Sequence, residues 1–186
     1  MMASNAVAVP GPLPPARTVM DRIADSIGEL SNGDHALLRR MYLTGRRRQA
    51  DGVVLGLLHR AGVNLEGMER NAGQYARWCL VAHVAALLSG TTRRVMHVPN
   101  ARLGEALFAA DYSENRLLRL TAARGEPLRD QIIRAARVLA QAGATRIDLW
   151  SIYHLAAGTT DRAEAARIRI AQGYYAATAR FEGDTK

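Results

Sequence analysis

A chain of 186 residues is long enough for one domain or two small lobes and can bury roughly 70% of the surface its unfolded form exposes, so a packed core is within reach. One cysteine excludes an internal disulfide, and the longest apolar run, WCLVAHVAALL, falls well short of the roughly 20 residues needed to cross a bilayer; together these predict a cytoplasmic protein with no membrane span. A net charge of +8 with a pI near 10.5, every basic residue but Lys186 being arginine, points to a phosphate-rich partner, with a scattered and solvated surface as the alternative.

The N-terminal NAVAVPGPLPPAR lacks a basic start and is broken by Pro10, Pro12, Pro14 and Pro15, so residues 1–17 are expected to be a disordered leader and not a signal peptide. Val19, Met20, Ile23, Ile27 and Leu30 then recur at three- and four-residue spacing, predicting an amphipathic helix from about Thr18 to Leu30. Gly33 and Asp34 open a second helix, and GVVLGLLHRAG is a short third one ending at Gly62. The fourth, from about Ala72 to Leu88, is the most hydrophobic and should be central. Residues 18–90 are thus expected to form an N-terminal bundle.

Residues 91–102, within SGTTRRVMHVPNAR, read as a basic connecting loop closed by Pro99. A C-terminal bundle over 103–180 follows, and 181–186 read as a tail. Within that bundle ARLGEALFAADYSENRLLRL divides into two short helices near Asp111 to Ser113, with Ser113 placed to cap the second. From Pro127 to Ala142 one face carries Leu128, Ile132, Ile133, Ala136, Leu139 and Ala140, the other Asp130, Arg134, Arg137 and Gln141, and Gly143 ends the helix. IDLWSIYHLAAG gives a helix stopping at Gly158, and Asp161 with Glu164 is a plausible capped start for the last one. No strand-like alternation and no fixed-period repeat stands out, so the fold class is all-α, two small helical bundles joined by a basic loop.

The densest basic element is LSNGDHALLRRMYLTGRRR, which sets Arg39, Arg40, Arg46, Arg47 and Arg48 into ten positions of a helix and its following loop. At about 100° per residue, Leu37, Leu38, Met41 and Tyr42 share one arc while Arg39 and Arg40 point away, and Gly45 is expected to stop the helix. A guanidinium grips two phosphate oxygens at once, so this is either a phosphate site or a crowded solvated face. Arg116 and Arg119, three apart, share one side of a helix, though Glu114 and Glu126 are close enough in sequence to pair with them. Arg134 follows Asp130 by four residues and so has a surface pair as its rival role. Arg93, Arg94 and Arg102 flank the connecting loop and would lie near any groove between lobes.

Catalytic patterns are missing from the sequence. His35, His59, His83, His97 and His154 lie in separate segments without metal-ligand spacing, and His83 on the most apolar helix reads as a core residue. No Walker-type loop or GxSxG occurs, and Asp21, Asp25, Glu29, Asp111 and Glu114 do not form the tight acidic set of a magnesium nuclease. No metal, cofactor or catalytic residue is assigned.

Three segments, in this order, resemble the CasB family, the small subunit of the type I-E CRISPR surveillance complex Cascade. Leu30 to Arg40 is similar to the family's glycine-bearing turn and helix ending in paired arginines; Leu103 to Ala123 resembles its small-residue helix followed by an arginine-bearing one; Leu128 to Leu155 resembles its long helix, short turn and D-W helix. The family's tryptophan near the end has no counterpart in AARIRIAQGYY. The resemblance implies a two-lobed helical protein without enzymatic activity, present as two copies beside the backbone and large subunits, the guide RNA and the target DNA. It carries DNA contact onto Arg39, Arg40 and Arg116; the other arginines are inferred from pattern. The expected role is to hold the opened target DNA (R-loop) through arginine–phosphate contacts. The alternatives are a free-standing helical nucleic-acid-binding protein and a structural adaptor that does not touch DNA.

Overall fold

The computed structural model describes residues 17–43 and 47–184, so the leader up to residue 16, the segment 44–46 that contains Arg46 and Gly45, and the last two residues lie outside the described chain. Among the described residues the fold is all-α. Nine α-helices follow one another there: α1 (Val19–Glu29), α2 (Asn32–Arg40), α3 (Asp51–Arg60), α4 (Ala72–Ser89), α5 (Leu103–Ala109), α6 (Glu114–Ala122), α7 (Gly125–Gln141), α8 (Leu149–Leu155) and α9 (Asp161–Asp184). None of them is long and apolar enough to cross a membrane.

Local chemistry sets the helix starts. Thr18 and Asp21 form a reciprocal capping box on α1, and Ser31 Oγ accepts the Asp34 N–H at 3.1 Å on α2, two residues ahead of the glycine expected to open it. α7 begins at Gly125, two residues before Pro127, because a proline is tolerated in the first turn, where no N–H is needed. Gly143, at φ +71, follows its end as predicted. Ser113 precedes α6 but makes no side-chain cap. On α9 the capping oxygen belongs to Thr160, which accepts the Ala163 N–H at 3.2 Å; Glu164 turns elsewhere. That last helix continues to Asp184, through part of the expected tail.

α4 is the central element, buried without interruption from Trp78 to Ser89. It packs against α1, α2 and α3 on one side and α7 and α8 on the other, so one apolar cluster runs from Met20 to Tyr174. The two expected bundles therefore share a single interior. The connecting loop adds a second departure, a two-residue strand β1 (Met96–His97) paired in parallel with β2 (Arg146–Ile147), register Met96 to Arg146 and His97 to Ile147. Two residues are too few for alternation to show in a sequence.

The buried histidines hold elements together. His83 Nδ1–H donates to the Leu38 carbonyl at 2.8 Å, tying α4 to α2; His35 Nε2 lies 2.7 Å from Ser89 Oγ; His97 Nδ1 accepts the Leu149 N–H at 3.2 Å.

Candidate nucleic-acid interface

α2 buries Leu38 and His35 and turns Arg39 and Arg40 into solvent, where neither has a carboxylate or hydrogen-bond partner among the described residues. Arg47 and Arg48 stand exposed on a short 3-10 turn, Arg47–Ala50, that leads into α3. Arg47 faces Tyr42, which also lies under the Arg129 guanidinium, 5.6 Å from its ring centroid. Burial pushes the Tyr42 phenol well above its ordinary range, and Arg47 and Arg129 oppose that shift.

From Tyr42 the basic surface continues along α7. Arg129, Arg134 and Arg137, with Asp130 and Ile133, enclose a hollow of about 200 Å³ beside the tyrosine. Asp130 is taken by Arg129 at 3.3 Å, and Glu126 approaches the same guanidinium at 3.6 Å. Arg134 is thereby left without the partner that its spacing from Asp130 suggested. Arg137 also disfavours the charged form of His83 on α4.

α6 buries Leu117 and Leu120 and presents Arg116 and Arg119 outward. The two glutamates that could have neutralised them are engaged elsewhere: Glu114 accepts the Tyr175 hydroxyl at 2.8 Å, and Glu126 faces Arg129. Arg116, Arg134 and Arg119 all act on one group, the Tyr112 phenol, whose pKa burial raises and these three guanidiniums lower. Tyr112 is 1% exposed, and its hydroxyl has no hydrogen-bond partner among the described residues. Arg134 therefore joins the α6 pair to the arginines beside Tyr42.

The loop arginines divide. Arg93, at φ +54, donates from Nη1 to the Leu30 carbonyl at 2.6 Å and from Nη2 to Asn32 Oδ1, fixing the corner between α1 and α2. Its guanidinium is spent on the fold, because the α1 C-terminus leaves a carbonyl that needs a donor. Arg94 beside it is exposed and has no ion pair among the described residues. Arg102 is held by Glu105 at 3.1 Å, and Glu105 also takes Arg180 at 2.7 Å.

Sequence reasoning missed Tyr42, Arg129 and Arg137 as members of this surface. The signal for Arg137 was its place three residues after Arg134 on the polar face of α7, whereas Arg129 was hidden between two acids that partly neutralise it. Among the described residues no three His, Cys, Asp or Glu side chains gather as a metal-ligand set. No protein-family model matches the chain, and no curated protein or solved structure matches it.

Proposed function

We propose that this chain is a cytoplasmic, non-catalytic small subunit of an RNA-guided antiviral DNA surveillance complex of the CasB type, which stabilises the opened target DNA through arginine–phosphate contacts. The observation carrying the proposal is that Arg39, Arg40, Arg116, Arg119 and Arg134 stand exposed on three helices and none forms an ion pair among the described residues. Such a surface neutralises a phosphate backbone without reading bases. Exchanging a DNA duplex for a guide–target duplex is nearly balanced in free energy, so a few phosphate contacts decide whether the DNA stays open. The guide supplies the sequence recognition, and two copies of this chain beside the backbone and large subunits extend the basic surface.

The test is the salt dependence of single-stranded DNA binding by the full chain, alone and assembled with a guide-loaded backbone. Each arginine–phosphate contact contributes about 0.7 to the slope of log affinity against log salt. Arg39→Ala with Arg40→Ala, and separately Arg116→Ala with Arg119→Ala, should each flatten the slope by about 1.4 while leaving the unfolding curve in place. An unchanged slope in a folded variant removes that pair from the site. Tight DNA binding alone, with no association with guide-loaded complexes, would favour a free-standing binder; association without any arginine dependence would favour an adaptor.

A further inference from the structure

A second groove has no lining residue from α2, α6 or α7, and of the arginines discussed so far only Arg102 lines it. It consists of two hollows of about 400 and 390 Å³ that share Asn100, Asp148, Ser151 and Arg169, between the loop before α5, the start of α8 and the outer face of α9. That size falls within the range of ligand clefts, about 300–1,000 Å³.

Its surfaces differ in chemistry. One wall is aromatic: Trp150 and His154, one turn apart on α8, both line the hollow and are half-buried, and they stack on each other with ring centroids 5.6 Å apart and planes 19° from parallel, so this stacked pair is the shelf. Burial, with Arg162 and Arg169 nearby, holds the His154 imidazole below its ordinary pKa, so the shelf is neutral at physiological pH. The floor carries the Asp148 carboxylate, fixed by accepting the Trp150 N–H at 2.9 Å and the Asn100 N–H at 3.3 Å. The rim carries Arg162 and Arg169, seven residues apart on α9 and exposed, neither with a carboxylate partner among the described residues. Ser151 lines both hollows.

We propose that this groove holds an unpaired nucleotide of a single strand, its base on the Trp150–His154 shelf and its phosphate between Arg162 and Arg169. A neutral π face accepts any base, which suits a protein without base readout. The floor carboxylate repels a phosphate and accepts a base amino group, so it orients the nucleotide base-inward and sends the phosphate to the basic rim. The inference rests on the nucleic-acid reading above, to which it adds a stacking site on a different part of the surface. DNA and RNA share the required chemistry.

The experiment uses the full chain with 12-nucleotide oligothymidylate and oligouridylate carrying one photoreactive 5-iodopyrimidine, followed by mapping of the crosslinked peptide. Adducts at Trp150 or His154 are expected, the better of the two oligomers naming the source. The double variant Arg162→Ala with Arg169→Ala should bind about tenfold more weakly with an unaltered unfolding curve, and Trp150→Leu should lose the adduct. Wild-type affinity in the arginine variant, with adducts confined to α2, α6 and α7, would overturn the groove while leaving the phosphate surface standing. No binding of either oligomer by the unaltered chain, alone or in the guide-loaded assembly, would overturn both.

Discussion

Gly104 in α5 lies so close to α9 that a Cβ on it would collide with the Ile170 carbonyl oxygen and sit 2.5 Å from the Tyr174 nitrogen. Both neighbours are helix backbone and have no rotamer by which to yield. The same crossing is locked by Tyr174, whose hydroxyl donates to the Tyr112 carbonyl at 2.7 Å and whose ring meets Phe108 edge-on at 5.6 Å. The contact therefore sets where the turn before α6, and with it the Arg116 and Arg119 pair, is held.

Gly104→Ala should cost about 3 kcal/mol or more, the upper end of overpacking penalties, because two helices have to separate. Urea unfolding is the measurement, with a drop in midpoint at unchanged slope expected. Gly52→Ala, on α3 with open space around it, is the control and should leave stability equal or raise it by up to about 1 kcal/mol. Equal effects at the two positions would mean that the α5–α9 approach is not as close as described.

Stability should fall on mild acidification because of His83. Burial is the main cause lowering its pKa from 6.5 to about 4, with Arg137 acting the same way and the bond to Leu38 opposing. The folded chain keeps the ring neutral where the unfolded chain protonates it. The contribution is thus fully present above pH 6.5 and is lost as the pH falls from 6.5 toward 4, amounting to about 3 kcal/mol over that window. His35 and His154 are lowered as well and act with the same sign. His83→Asn keeps a donor near the Leu38 carbonyl and removes the titration, so its unfolding free energy should vary less between pH 7 and pH 4.5; an undiminished pH dependence would assign the effect elsewhere.

Glu164 joins two arginines, taking Arg124 Nη2 at 3.0 Å and Arg167 Nη1 at 2.9 Å. Arg124 is solvent-accessible and also donates to the Thr121, Ala122 and Ala123 carbonyls at the end of α6, while the Arg167 side chain is only 5% exposed and burial lowers its pKa. Glu164→Ala strands the buried guanidinium and should cost about 3 kcal/mol. Arg124→Ala leaves Glu164 to Arg167 and should cost about half that. Thermal unfolding of the two variants gives the order, and a larger loss for Arg124→Ala would contradict it.

Helices were legible because their signal is local and repeated. The apolar stripe of α1, the unbroken run of α4 and the two-faced pattern of α7 all appear in the structure, within a few residues of the expected ends. What stayed hidden is set by residues far apart in sequence. The β1–β2 pair joins Met96 to Arg146, and the continuity of the core through α4 depends on which faces meet. Neither leaves a periodic trace. The arginines follow the same rule: the outward direction of Arg39 and Arg40 follows from Leu38 on the opposite arc, whereas the inward turn of Arg93 is decided by the Leu30 carbonyl 63 positions away.

Arg93 and Arg94 should therefore separate cleanly, although they are neighbours in a loop and identical in charge. Arg93→Ala removes two donors from the α1–α2 corner, leaving the Leu30 carbonyl and the Asn32 side chain to find water, and should cost about 1.5 kcal/mol. Arg94→Ala touches no partner among the described residues and should change stability by less than about 0.5 kcal/mol. If Arg94 joins the basic surface beside α2, its loss lowers the salt slope of DNA binding, whereas at matched stability the loss of Arg93 does not. Parallel urea and salt titrations distinguish the two, and a reversal, with Arg94 governing stability and Arg93 the slope, would show that the loop is turned the other way.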